Sequence, residues 1–151
     1  MGNRAVITTN KREVGLYVHW NGGPESICAF LTYAKLFGIR RPQEDEAYFF
    51  ARLTQIITNF FGGQISCGVG MYNHLDRNNG DNGVYIVNND FSVTEREFGN
   101  TVSFVRRSRM VDFLYEINRS MPEADRLDNS VLESAEFVEV LGFQFEEEES
   151  L

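Results

Sequence analysis

The stretch VHWNGGPES, residues 18–26, constrains this chain more than any other, because the spacing of apolar residues changes there from one period to another. Before it, Arg4 to Thr9 (RAVITT) and Val14 to Val18 (VGLYV) are rich in β-branched and aromatic residues. The polar stretch NKRE separates them, and the pattern predicts a β-hairpin. After it, Ile27, Phe30, Leu31, Ala34 and Phe37 recur at helical spacing, and Gly38 supplies a stop. Pro24 suits the first helical position, where its missing N–H costs nothing, and Glu25 suits the positive end of the helix dipole.

A second helix is predicted from Glu44 or Asp45 to Phe61, with Ala47, Phe50, Leu53, Ile57, Phe60 and Phe61 on its apolar side and Gly62-Gly63 ending it. QISCGVGMY and GVYIVNND read as strands, and the Asn/Asp/Gly-rich loop between them has the chemistry of a hairpin or meander. SVTEREF suggests a further strand, and TVSFV in the ambiguous stretch 99–109 is strand-like. A third helix is expected over Ser108 to Met121. Ser130 with Glu133 matches a capping box for a fourth that could end at Gly142, while Phe143-Gln-Phe145 alternates like a strand. The element order lacks the strict alternation of a parallel α/β fold. It predicts an α+β domain over residues 1–145, an antiparallel sheet of four to five strands against two to four helices, followed by an acidic tail at 146–151.

Composition narrows the function classes. At 151 residues with 42% hydrophobic content, the chain suits one domain with a sizeable core, and it has no apolar run of the roughly 20 residues that a membrane helix needs. The amino terminus has no apolar centre with a cleavage site, so it reads as mature structure in a cytoplasmic protein. Cys28 and Cys67 lie far from any ligand-spaced histidine or second cysteine. They are expected to be ordinary thiols, with no metal and no cofactor. The net charge of −8 argues against direct binding of nucleic acid or of an anionic membrane. That charge is unevenly placed: 12 Lys+Arg face 10 Asp+Glu through Val111, and 2 face 12 from Asp112 onward. Glu133, Glu136, Glu139, Glu146, Glu147, Glu148 and Glu149 therefore form a candidate surface for a basic protein partner.

Other residues are candidates for a small ligand. A strand that ends in Gly22-Gly23 before a helix start brings backbone N–H groups and the helix dipole toward an anion, so a nucleotide-like molecule is a possible ligand. Asn21 would add an amide, His19 a donor or base, and Trp20 a stacking face. Arg52, Gln55 and Asn59 share one stripe of the second helix and could line the same pocket. The segment lacks the phosphate-loop pattern, however, and a glycine pair also serves a tight strand-to-helix connection. The loop from His74 to Gly83 departs from the calcium pattern at Gly80 and Val87 and is better read as turn residues. Catalysis finds little support: His19 and His74 sit in no known motif, and a small hydrolase would need them to converge with Asp76. Arg106, Arg107 and Arg109 form a basic patch that suits the protein's own acids.

The combination of MGNRAVIT, GLYVHWNGGPES, NFFGG and DNGVYIV resembles a family of small proteins encoded by phages and mobile elements of bacteria; the likeness covers about the first 90 residues. It transfers no catalytic or binding role onto His19, Asn21 or Asp81. What it implies is a genomic context in which small accessory proteins interfere with host processes, CRISPR-Cas and nucleotide-signalling immunity among them. The leading expectation is an anti-CRISPR-like or other anti-defence inhibitor that binds a basic host effector through its acidic end. A nucleotide or anion binder at Trp20 to Glu25 and a small hydrolase are the alternatives.

Overall fold

The protein is described by a computed structural model that covers residues 2–64, 66–99, 103–135 and 142–146. The hairpin forms as β1 (Ala5–Thr9) and β2 (Val14–Val18), antiparallel with Ile7 opposite Leu16. Helix α1 (Pro24–Phe37) begins at the expected proline, and Gly38 ends it in the left-handed region at φ 84, its N–H directed to Ala34 O and Lys35 O. Helix α2 (Glu46–Phe60) starts on Asp45, whose Oδ1 accepts the Tyr48 N–H at 3.0 Å. Strand β3 (Cys67–Met71), β4 (Val84–Val87) and β5 (Glu95–Glu97) follow, then β6 (Ser103–Arg106), α3 (Arg107–Ser120), α4 (Asn129–Ser134) and β7 (Phe143–Glu146).

The fold is α+β. The main sheet has the order β3-β2-β1-β4-β5, and a second, two-stranded sheet pairs β6 with β7. The number of strands agrees with the expectation, but the sheet is mixed: β4 runs parallel to β1, and β7 parallel to β6. The hairpin or meander expected between β3 and β4 does not form, since β2 and β1 lie between them. Residues 72–83 instead cross one face of the sheet, where Tyr72 and Leu75 pack on Val6, Val84 and Ile86. The reason is the composition of the central strands. AVITT and VYIV are buried along their whole length, so each needs apolar cover on both faces. Helices cover one face and the crossover covers the other.

The larger core lies on the helix face, where Ala5, Ile7, Leu16, Val18, Tyr85 and Val87 meet α1, α2 and α3. Helix α1 is the central element, with Ile27, Phe30, Leu31 and Tyr33 fully or almost fully buried. The Tyr33 hydroxyl donates to Asn118 Oδ1 at 2.8 Å, and Asn118 also holds Leu127 through both its amide groups. One buried amide thus ties α1, α3 and the following loop together. The small sheet joins the same core through Val105 and Phe143, whose ring stacks on Tyr85 at 6.3 Å.

Two local expectations are corrected. Asp128, not Ser130, is the N-cap of α4, so Ser130 lies within the helix and the capping box with Glu133 is not formed. Glu146, expected to open the acidic tail, is the last residue of β7 and stands opposite Arg106. Among the described residues no helix is long and apolar enough to cross a membrane.

Candidate functional site

The turn at residues 19–23 is built mainly by internal contacts. Gly22 donates its N–H to Asn3 O at 2.8 Å, and its carbonyl accepts the Tyr85 hydroxyl at 2.8 Å. A Cβ at Gly22 would stand 2.5 Å from Asn3 O and 2.7 Å from Ala5 Cβ, so glycine is required here by the close approach to β1. Gly23 is the N-cap of α1, and its carbonyl accepts the Ile27 N–H. The positive end of α1 already carries Glu25, which Arg106 holds at 3.1 Å. Asn21 takes φ 58 to make the turn. His19 Nδ1 lies 2.8 Å from the Tyr17 hydroxyl, and Trp20, 45% exposed, meets the His19 ring edge-on at 4.9 Å.

The α2 stripe lies elsewhere. Arg52 donates to Gln55 Oε1 at 2.8 Å and stacks over Phe37 and Tyr48, while Asn59 reaches Met121 Sδ at 3.6 Å. Phe37 is the last residue of the 14-residue α1, so Arg52 and the Gly22-Gly23 turn are separated by about 20 Å of helical rise. The structure does not bring the two halves of the expected pocket together. α2 runs antiparallel to α1, which sets Phe60 beside Phe30 and leaves Arg52 beside the far end.

Asp76 and Asp81 are both engaged by Arg4, at 3.5 and 2.8 Å, and the Arg4 hydrogen bond holds the Asp81 carboxyl below its ordinary range. His19 lies near enough to Asp81 to help hold that carboxyl low. His74 is exposed on the crossover. Asn79 is buried and shapes that segment, accepting the N–H groups of Asp81 and Gly83 while donating to Asp76 O and Gly83 O. The thiols sit apart: burial pushes Cys28 up to about 12, and the half-buried Cys67 is raised for the same reason.

Of the acidic candidates, Glu133 is exposed on α4 and Glu146 is exposed at the end of β7. Glu136, Glu139, Glu147, Glu148 and Glu149 lie outside the described residues. In the basic patch, Arg107 stacks on Phe145 of β7 at 4.0 Å and Arg109 on Phe113.

Sequence reasoning missed an open apolar groove. Between α2 and the β2–β3 side of the sheet runs a groove of about 500 Å³, floored by Val14, Phe50, Ala51 and Val69, with Lys11, Glu13 and Glu46 at its rim. The Thr54 hydroxyl on its wall is buried without a hydrogen-bond partner. It arises because α2 packs against β2 and leaves β3 uncovered: Val69 is 54% exposed and Met71 58%. β3 is also the outermost strand of the sheet, and it contains no charge. The one available signal was compositional, a strand reading CGVGM whose alternate positions are glycine. Compared with family models, with curated proteins and with solved structures, the chain matches none.

Proposed function

We propose that the chain acts by binding a host protein in the bacterial cytoplasm, as an accessory inhibitor of the phage anti-defence kind, and not by catalysis. One observation carries this reading: a sheet edge that is uncharged, and open among the described residues, runs beside an apolar groove on a molecule whose net charge is −8. Exposed apolar surface with polar surroundings is what protein interfaces use, and the net negative charge of the molecule as a whole favours a basic partner. Glu133 and Glu146 are exposed acids of the carboxyl-terminal third, and β7, which carries Glu146, packs by Tyr85 of β4, on the far side of β1 and β2 from β3. The test is capture of a basic effector from bacterial lysate at low and at high salt. The expected result is capture that weakens with salt and with glutamine at Glu146 to Glu149; salt-independent capture, or none, overturns the reading.

The small-ligand reading retains one observation, the exposed Trp20 set edge-on against His19 at the end of β2. A nucleotide stacked on that indole should raise the melting temperature in a thermal-shift series. A flat response across common and cyclic nucleotides removes it.

A further inference from the structure

We infer that β3 receives an extended segment of the partner as an added strand, one whose side chains alternate between aliphatic and aromatic and whose flank is basic. This rests on the protein-binding reading and names how the partner is held. Ser66 O accepts from His19 N at 2.8 Å, and Tyr72 N donates to Glu13 O at 2.9 Å, so these even-numbered residues face β2. In an antiparallel ladder the bonding direction alternates along the strand. Gly68 and Gly70 therefore also turn their N–H and C=O groups to β2, and Cys67, Val69 and Met71 turn theirs outward. With no strand beyond β3 among the described residues, these outward groups form a ready ladder for another chain.

The side chains set the chemistry of the occupant. Positions opposite Val69 and Met71 point to the helix face, into the groove floored by Val14, Phe50 and Ala51, and suit aliphatic residues. Positions opposite Gly68 and Gly70 point to the other face, where β3 offers only backbone and Leu75 Cδ2 stands 3.4 Å from a Cβ at Gly70. Large aromatic side chains cover such bare strand surface well. At the rim, Glu13 and Glu46 outnumber Lys11, and the molecule as a whole is acidic, so a basic flank is complementary. A second copy of the chain fits less well. Two β3 strands paired antiparallel in full overlap would set Val69 against Val69 and Met71 against Cys67 on one face but Gly68 against Gly70 on the other, leaving that face without side-chain contact, and would join two bodies each of charge −8.

The probe is the blocked synthetic peptide Lys-Val-Tyr-Val-Tyr-Val-Lys, titrated into the full chain and followed by amide NMR shifts, hydrogen exchange and fluorescence anisotropy. The expected result is protection of the Cys67, Val69 and Met71 amides and saturable binding. Val69→Lys should weaken binding by about tenfold or more while the spectrum stays folded, the equivalent of losing one or two ladder hydrogen bonds. A peptide with proline at its central valine should not bind, and one with glutamates for lysines should bind more weakly. Protection at other amides, or binding unchanged by Val69→Lys, overturns the inference. So does concentration-dependent dimerisation of the free chain that protects the same three amides, because the occupant is then a second copy. Loss of salt-sensitive capture with peptide binding intact would instead strike the inhibitor reading alone.

Discussion

β5 closes one side of the main sheet with the three residues Glu-Arg-Glu, whereas β3 closes the other with Cys-Gly-Val-Gly-Met. On the β5 side every charge has a partner. Arg12 binds Glu95 at 2.9 Å and Glu97 at 2.6 Å, the Tyr72 hydroxyl donates to Glu97 at 2.5 Å, and Arg96 folds inward over the Tyr85 ring at 3.7 Å. Arg96 also donates to the carbonyls of Val84 and Asn82. A short, charged outer strand of this kind resists pairing with another chain. β3 has none of these devices, although both strands lie in one sheet of one small domain. An unguarded edge is therefore not a general property of this fold but a local feature, and that difference makes β3 the place to look for a partner.

The largest expected effect tests whether β5 is a structural edge. Arg96→Ala should remove the Tyr85 stack and leave the Val84 and Asn82 carbonyls short of a donor, costing about 2–4 kcal/mol in chemical denaturation. A loss below about 1 kcal/mol would show that the two edges differ less than their contacts suggest. Tyr72→Phe should cost about 1 kcal/mol by deleting the hydroxyl that burial, and then Glu97, pushes up to about 12.

The same hydrogen bond sets a pH dependence. The Tyr72 hydroxyl, with Arg12, holds the Glu97 carboxyl below its ordinary value of 4.5. A carboxyl with a lower pKa in the folded state stabilises the fold above its unfolded value, and this contribution is lost as pH falls through the folded one. Stability should hold from neutral pH to about 4.5 and decline below it, and Glu97→Gln should flatten part of that decline. A decline equally steep in the variant would assign the acid limb to the other depressed carboxyls, Asp45, Asp81 and Asp90. The smallest effect belongs to β3. Val69→Lys should change stability by no more than about 0.5 kcal/mol, because the side chain is exposed and nothing in the fold depends on it. A loss above about 2 kcal/mol would show that β3 has a structural role after all.

Much of the fold was legible where local chemistry decides. The Pro24 start and Gly38 stop of α1, the start of α2 to within two residues and the β1–β2 hairpin were all readable, because each depends on residues a few positions apart; that Asp45 caps α2 and is not its first residue came from the structure. Ser130 with Glu133 shows the limit of such motifs, since Asp128 two residues earlier takes the cap instead. The loop from Tyr72 to Gly83 had the composition of a hairpin turn, yet its length serves to cross two strands. Only the unbroken burial of AVITT and VYIV hints at that second covered face.

For the site, the chain alone established residue types and charge balance: a turn with Trp20, a polar stripe on α2 and an acid-rich final third. It could not place them relative to one another, because the separation of Arg52 from Gly22 follows from how α2 packs against α1. The same holds for β3, whose five residues would be an ordinary interior strand had β4 paired beside it. Periodicity and capping act within a few residues, so they specify elements. Which strand lies outermost is settled by the competition of whole apolar faces for cover, and that competition exists only once the chain is folded.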